Sequence, residues 1–397
     1  MKSHVYLVLL TFVGIILSLD NELKIIKYIC VILLLFFLLK KKQYIFKKKY
    51  LKINFWLYLF CLSVFASSVN MLFIHFPLDF HKVSPFSGIL FIICVIDIFL
   101  LLEYLYETKQ TNIFCQTLYK TMLLFIVVND IFLLKQMPSI SGMDSYAIQY
   151  LIGNKFEVSY FHLFFAALYY QLKCTTRLIL PKNKFIFSLH ILLCIIVSIF
   201  TECSTGVIGT LVLFMSILLY YKISFLFKPQ IIILLTLTIG SFFIFYETIL
   251  NIPFIQYIIV DVLNEDLTLT GRTVIYEKMI DLLYMEPLLG YGNGTATFFT
   301  TYYISDLLTN TQNGLLNDFI DWGIIGISCL LLLVYAVFKN NITLNSKYKN
   351  PFVCLAFTYI ILSSIEITLG LRFLTVLPFC IFYNIKHITG KYPKMAS

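Results

Sequence analysis

Long apolar runs separated by short polar stretches dominate this chain. They occur at about 4–19, 25–39, 54–75, 87–106, 113–134, 158–172, 185–200, 206–221, 231–250, 317–338, 352–369 and 373–386. A helix that crosses the hydrocarbon core needs roughly 20 mainly apolar residues, somewhat fewer in a tightly packed bundle. The pattern predicts an all-α polytopic membrane protein with about twelve transmembrane helices; the first and last runs are short, so the count is eleven or twelve. Composition agrees. Sixty per cent of the 397 residues are hydrophobic and 13% are charged, whereas a soluble domain is about one-quarter charged. A soluble enzyme, a disordered chain and a disulfide-stapled secreted module are all excluded.

The net charge of +9 would suggest nucleic acid in a soluble protein, but topology explains it first. With the N-terminus in the cytoplasm and the spans alternating, 21 of the 30 basic residues fall in inner segments and eight in outer ones. Seven of the inner lysines lie between Lys40 and Lys52. Short cytoplasmic loops are the ones enriched in Lys and Arg, so both termini are expected inside and no nucleic-acid partner is needed. Lys2 precedes an apolar run as in a signal peptide, but Ser18-Leu19-Asp20-Asn21 is a poor cleavage site, so the first span is expected to be retained. The ten cysteines and six histidines show no metal-ligand spacing. No metal and no cofactor are expected.

One connection differs from the rest. The outer segment at 251–316, about 65 residues, divides the chain into an N-terminal bundle over 1–250, the long extracytoplasmic loop over 251–316, and C-terminal helices over 317–397. A loop this long inside a compact protein usually has a function. Its apolar residues Ile275, Met279, Leu282 and Leu283 recur at helical spacing, which predicts an amphipathic helix near the membrane surface. Thr270 is its expected cap and Pro287 its stop.

Arg272 falls at the start of that helix, where a cation opposes the helix dipole. An anion held between the guanidinium and the helix N–H groups resolves the conflict. The chain has three arginines against 27 lysines, and Arg272 and Arg372 are both on the outer side. Lysine would satisfy topology alone; planar, bidentate binding of diphosphate favours arginine. The structural alternatives are a pair between Arg272 and Glu277, and one between Arg372 and Glu366. Beyond Pro287, Gly290, Gly292 and Gly294 allow sharp turns but lack the spacing of a phosphate loop. Gln312-Asn313 leads into the next span, with Asp318 and Asp321 in its first turns and Gly323 and Gly326 beyond. Among polar residues of the spans, Glu103 and Lys120 are expected to pair, and Asp97 lies near the midplane with no evident partner.

Taken together, these elements resemble the O-antigen polymerase and O-antigen ligase superfamily of bacterial membrane glycosyltransferases. The family pattern is Gly-Arg-x3-Trp, then Pro-x2-Gly-x-Gly-x-Gly, then His-Asn-x9-Gly-x2-Gly. It appears here as Gly271-Arg272 with Tyr276 in the Trp place, Pro287 with Gly290, Gly292 and Gly294, and Gln312-Asn313 with Gly323 and Gly326. The order and spacing are specific in combination, although each piece alone is weak. Two positions depart from the pattern. Gln312 stands where ligases carry His, and Gln cannot take a proton. Ser204 occupies a position that is Arg in many members. Both departures favour polymerase over ligase.

The resemblance implies glycosyl transfer at the outer leaflet of the bacterial cytoplasmic membrane. The growing glycan on undecaprenyl diphosphate would be donor and a lipid-linked repeat unit acceptor. A lipid flippase and a chain-length regulator of the same pathway are candidate partners. In this reading Arg272 and Arg372 bind the diphosphate, Gln312 and Asn313 orient substrate, and Glu202, then Glu277 and Asp318, are candidate bases. A ligase and a lipid-linked oligosaccharide flippase are the alternatives. A flippase predicts charges along a central cavity and no long outer loop.

Overall fold

The computed structural model describes residues 2–17, 24–74, 83–134, 150–174, 181–257, 260–261, 272–304, 310–345 and 350–383. The described part of the expected domain boundary at 251–316 therefore begins and ends inside structure, while Thr270, the expected cap, lies outside the described residues. In chain order the helices are α1 (Lys2–Thr11), α2 (Lys24–Leu39), α3 (Leu51–Asn70), α4 (Phe86–Glu107), α5 (Thr111–Leu134), α6 (Lys155–Lys173), α7 (Pro181–Phe200) and α8 (Ser204–Leu218). They continue with α9 (Pro229–Gly240), the short α10 (Tyr246–Leu250) and α11 (Pro253–Tyr257), α12 (Arg272–Met285), α13 (Thr295–Phe299), α14 (Gly314–Asn345), α15 (Pro351–Leu362) and α16 (Leu371–Phe382).

A helix lies in each of the twelve apolar runs, and α3, α4, α5, α7 and α14 are long and apolar enough to cross a membrane. The chain is a multi-pass helical membrane protein. Its outer surface fits that reading: α2 exposes Ile25, Ile29 and Phe36, α7 exposes Leu192 and Ile199, and α8 exposes Leu211 and Met215. In water such a surface would be a liability; lipid is its natural solvent. Inside the bundle, α14 packs on α3 and α9, α16 on α4, and α6 on α7 and α15.

The early ends of α9 and α15, well short of their apolar runs, bear on the site. The run at 231–250 leaves the α-helix at Gly240 and tightens into a 3-10 turn, Ser241–Ile244. Leu315 packs closely at that point, where a Cβ on Gly240 would fall 2.7 Å from it. The run at 352–369 ends at Leu362, and residues 363–370 fold back as an irregular turn before α16. Ser363, Ser364, Glu366 and Thr368 interrupt the apolar run there. Glu366 therefore sits in a turn and not on a helix.

Asparagines set three helix starts. Asn154 Oδ1 accepts from Phe156 N and Glu157 N, Asn350 Oδ1 from Phe352 N, and Asn313 Oδ1 from Leu316 N. A side-chain cap of this kind is worth about 1 kcal/mol. A second, smaller core lies beside the main one and ties α12 to the bundle. In it Ile275, Tyr276, Met279 and Leu282 of α12 are buried with Tyr246, Phe299, Leu316 and Ile320. The apolar face of α12 thus covers protein. Glu103 and Lys120 do not pair. Glu103 accepts from Lys47 N and Asn54 Nδ2, and Lys120 is exposed.

Candidate active site

The three alternate glycines and the break in α14 form one structure. Inside α14, Gly323 has φ 62° and ψ −174°, a conformation confined to glycine. The helix ladder fails there, so carbonyls before the break and N–H groups after it need partners. Segment 287–292 supplies them. Tyr291 N donates to Ile320 O at 2.8 Å and Gly292 N to Asp321 O at 2.9 Å, while Ile324 N and Ile325 N donate to Pro287 O and Leu288 O. Gly290 has φ 69°, and a Cβ on it would fall 2.6 Å from both Gly323 N and Ile320 O. The Asp321 carboxyl then accepts from Gly294 N and Ala296 N, each at 2.8 Å, and from the Thr295 hydroxyl at 3.2 Å. The glycine segment is a clamp on α14, and Asp321 is its pin.

The clamp and the small core fix α12 against the start of α14, where Arg272 meets Gln312. Arg272 Nε donates to Gln312 Oε1 at 2.6 Å, and Arg272 Nη2 donates to Ile365 O at 3.4 Å. Gln312 is held in the left-handed region at φ 51°, strain of about 1–3 kcal/mol for a residue with a side chain. Tyr276 OH donates to its carbonyl, and its own N–H donates to Asn310 Oδ1. Among the described residues both acceptors of Arg272 are neutral, so these hydrogen bonds leave the positive charge available to an anion. Asn313 is fully buried. Besides capping α14, it donates Nδ2 to Gly240 O and Ser364 O.

On the other side of the 363–370 turn lies a cavity of about 350 Å³. Its polar lining includes Lys27, Asn154, Glu157, Glu366, Thr368 and Arg372, and Phe161, Phe164 and Tyr359 supply apolar wall. Arg372 donates Nε to Glu157 Oε2 at 3.0 Å, its Nη2 pairs with Glu157 Oε1, and its guanidinium lies over the Tyr160 ring. The partner of Arg372 is therefore Glu157, placed by the Asn154 cap, and not Glu366. Glu366 is 5% exposed and accepts from Ile367 N at 3.0 Å. Burial pushes its carboxyl up to about 7, while the Ile367 N–H and the charges of Arg272 and Lys155 pull the other way.

Residues 189–331 match the family model described as O-Antigen ligase. The resemblance to the O-antigen polymerase and ligase superfamily holds over that segment, just over a third of the chain. No curated protein and no solved structure matches. The O-antigen ligase match contains Arg272, the glycine clamp, Gln312, Asn313 and the break at Gly323. Glu157, Glu366 and Arg372 lie outside it.

Of the residues singled out from sequence, the fold brings Arg272 and Gln312 into contact and places both against the 363–370 turn. Arg372 reaches the same turn from the cavity side. The three carboxylates considered as bases are elsewhere. Glu202 is exposed in the turn between α7 and α8, at φ 53°, with its carbonyl accepting from Lys155 Nζ. Glu277 is exposed on α12. Asp318 is 1% exposed inside α14; its Oδ1 accepts from Asn317 Nδ2, and its Oδ2 has no hydrogen-bond partner among the described residues. Glu157 and Glu366 were not assigned a chemical role from sequence. The local signal for Glu157 is its place three residues after Asn154, and for Glu366 its place among Ser363, Ser364 and Thr368 in an otherwise apolar run.

Proposed function

We propose that this chain is an O-antigen or capsular polysaccharide polymerase. It would transfer a growing glycan from undecaprenyl diphosphate onto a lipid-linked repeat unit at the outer leaflet of the cytoplasmic membrane. In this reading both termini are cytoplasmic and the end that carries α12 faces outward. The observation that carries it is the convergence of Arg272, Gln312, Glu366 and Arg372 around one turn of a lipid-facing bundle that bears the O-antigen ligase segment.

The chemistry follows from the substrate. A lipid diphosphate is its own activated leaving group, and negative charge builds on it as the C1–O bond breaks. Preorganised cations where that charge appears are the main requirement. Arg272 meets it directly, because its hydrogen bonds go to neutral oxygens. Arg372 holds Glu157, so a diphosphate would compete with that carboxylate or use the remaining N–H groups. Gln312 orients Arg272 as an acceptor, and Asn313, committed to backbone, fixes the corner from which Gln312 projects. A flippase or chain-length regulator would be a pathway partner, not a part of this site.

Gln312 favours polymerase: it stands in the ligase His position and is bonded to Arg272. The family description itself favours a second reading, a ligase moving finished glycan to another acceptor. Gel analysis of lipid-linked and surface glycan in a deletion strain separates them. Loss of a polymerase leaves single repeat units; long lipid-linked chains that fail to reach the surface would assign the ligase instead.

A further inference from the structure

Transfer to a sugar hydroxyl requires a proton acceptor within hydrogen-bond reach of it. Gln312 cannot serve; Glu202 and Glu277 are exposed and Asp318 is buried on α14, and none of the three lines the cavity. The cavity itself contains two carboxylates in opposite situations. Glu157 is gripped by both arms of the Arg372 fork, which occupies its oxygens. Glu366 is anchored at one oxygen by the Ile367 N–H and lines the same cavity. It also adjoins Ile365, whose carbonyl receives Arg272. Of the two acids, one has both oxygens committed to an arginine, and the other keeps an oxygen out of any ion pair among the described residues. Such a difference of surroundings often accompanies divided chemical roles.

We propose that Glu366 is the general base of the transfer proposed above, taking the proton of the acceptor hydroxyl in the cavity between α6, the 363–370 turn and α16. The acceptor oxygen forms its bond to donor C1 as its proton passes to the Glu366 carboxylate. The C1–O bond to phosphate breaks, and its electron pair leaves on the lipid diphosphate beside Arg272. Glu366 then releases the proton to water. Burial brings the carboxyl to about 7, close to the working pH at which a base is most effective. The charged and titratable groups around it are Arg272 and Tyr276 from α12, Lys155, Glu157 and Tyr160 from α6, Arg372 from α16 and Lys27 from α2. Arg272 and Lys155 favour the ionised form that a base requires.

The test uses the full-length protein in lipid vesicles with lipid-linked repeat units extracted from the deletion strain. Glu366→Gln should lower kcat about 10²- to 10⁴-fold with KM within about threefold. The wild-type rate should rise with pH through about 7, and Glu366→Asp should retain part of the rate with that rise displaced. A Glu366→Gln enzyme that keeps more than about a tenth of the rate, or loses KM alone, overturns the base and leaves Glu366 as a counter-ion of Arg272. If Glu366→Gln does not assemble, the Asp variant decides, and a pH profile identical to wild type overturns the proposal. Failure of the wild-type protein to lengthen the extracted units would instead refute the polymerase reading on which the proposal rests.

Discussion

Asp321→Ala removes the pin of the glycine clamp and leaves the backbone that it holds. Gly294 N and Ala296 N each lose a 2.8 Å acceptor. Thr295 Oγ1 keeps its other bond, to Gly292 O, so two donors are stranded. A buried, unsatisfied N–H costs about 1–3 kcal/mol, giving about 2–6 kcal/mol for the pair. Relief of the buried carboxyl brings the expected loss to about 2–4 kcal/mol. Because each 1.4 kcal/mol is a factor of ten, local opening should become about 30- to 1,000-fold more frequent. The effect should be confined to the clamp, since the main core does not depend on it. Hydrogen exchange by mass spectrometry on peptides over 290–300 reads this directly, with α5 and α15 peptides as internal reference. Asp321→Asn keeps one carbonyl acceptor and should fall between. Acceleration of less than about threefold in Asp321→Ala, or equal acceleration of α15, would refute the clamp.

Two further outcomes follow from the cavity. Arg372→Ala strands Glu157 beside Tyr160 and should lower thermal stability by about 1–3 kcal/mol, since side chains partly exposed to solvent moderate the loss. Adding Glu157→Gln should restore stability without restoring glycan extension; recovery of both would make Arg372 purely structural. Glu366 predicts a pH dependence of unfolding. Its carboxyl is raised from 4.5 unfolded to about 7 folded, so between these values the folded protein holds the extra proton. Stability from this group is complete below pH 4.5 and is lost as pH rises through about 7, a total of about 3 kcal/mol. Thermal unfolding in detergent should show that slope in the wild type and lack it in Glu366→Gln; an unchanged slope would contradict the assignment.

The spans were legible in the sequence because lipid imposes one simple demand, an unbroken apolar run, and α3, α4, α5, α7 and α14 meet it plainly. The amphipathic helix was legible too: Ile275, Met279 and Leu282 mark its face, and Pro287 lies just beyond its end at Met285. What that face covers was not, since periodicity does not distinguish membrane from protein. The glycine spacing was visible, yet its purpose was hidden, because the hydrogen bonds of Tyr291 and Gly292 go to residues about 30 positions away. Asn313 read as polar chemistry beside a helix; only the packing of Gly240 and Ser364 around it reveals a buried cap. Glu366 lay inside a run read as one span; Ser363, Ser364 and Thr368 around it mark the break after Leu362, but nothing local announces that Arg272 reaches the same turn from a distant loop.

The diphosphate assignment to Arg272 is tested most directly by chain extension with purified protein. Lipid-linked repeat units from the deletion strain are incubated with vesicles containing wild type, Arg272→Ala, or, as a control, Arg177→Ala, the arginine besides Arg272 and Arg372 and the one that the lysine pattern predicts to be on the inner side. Wild type and Arg177→Ala should produce a ladder of longer lipid-linked glycans, and Arg272→Ala should leave the units unextended while remaining folded. A ladder from Arg272→Ala at the wild-type rate would contradict the placement of the leaving diphosphate on this arginine.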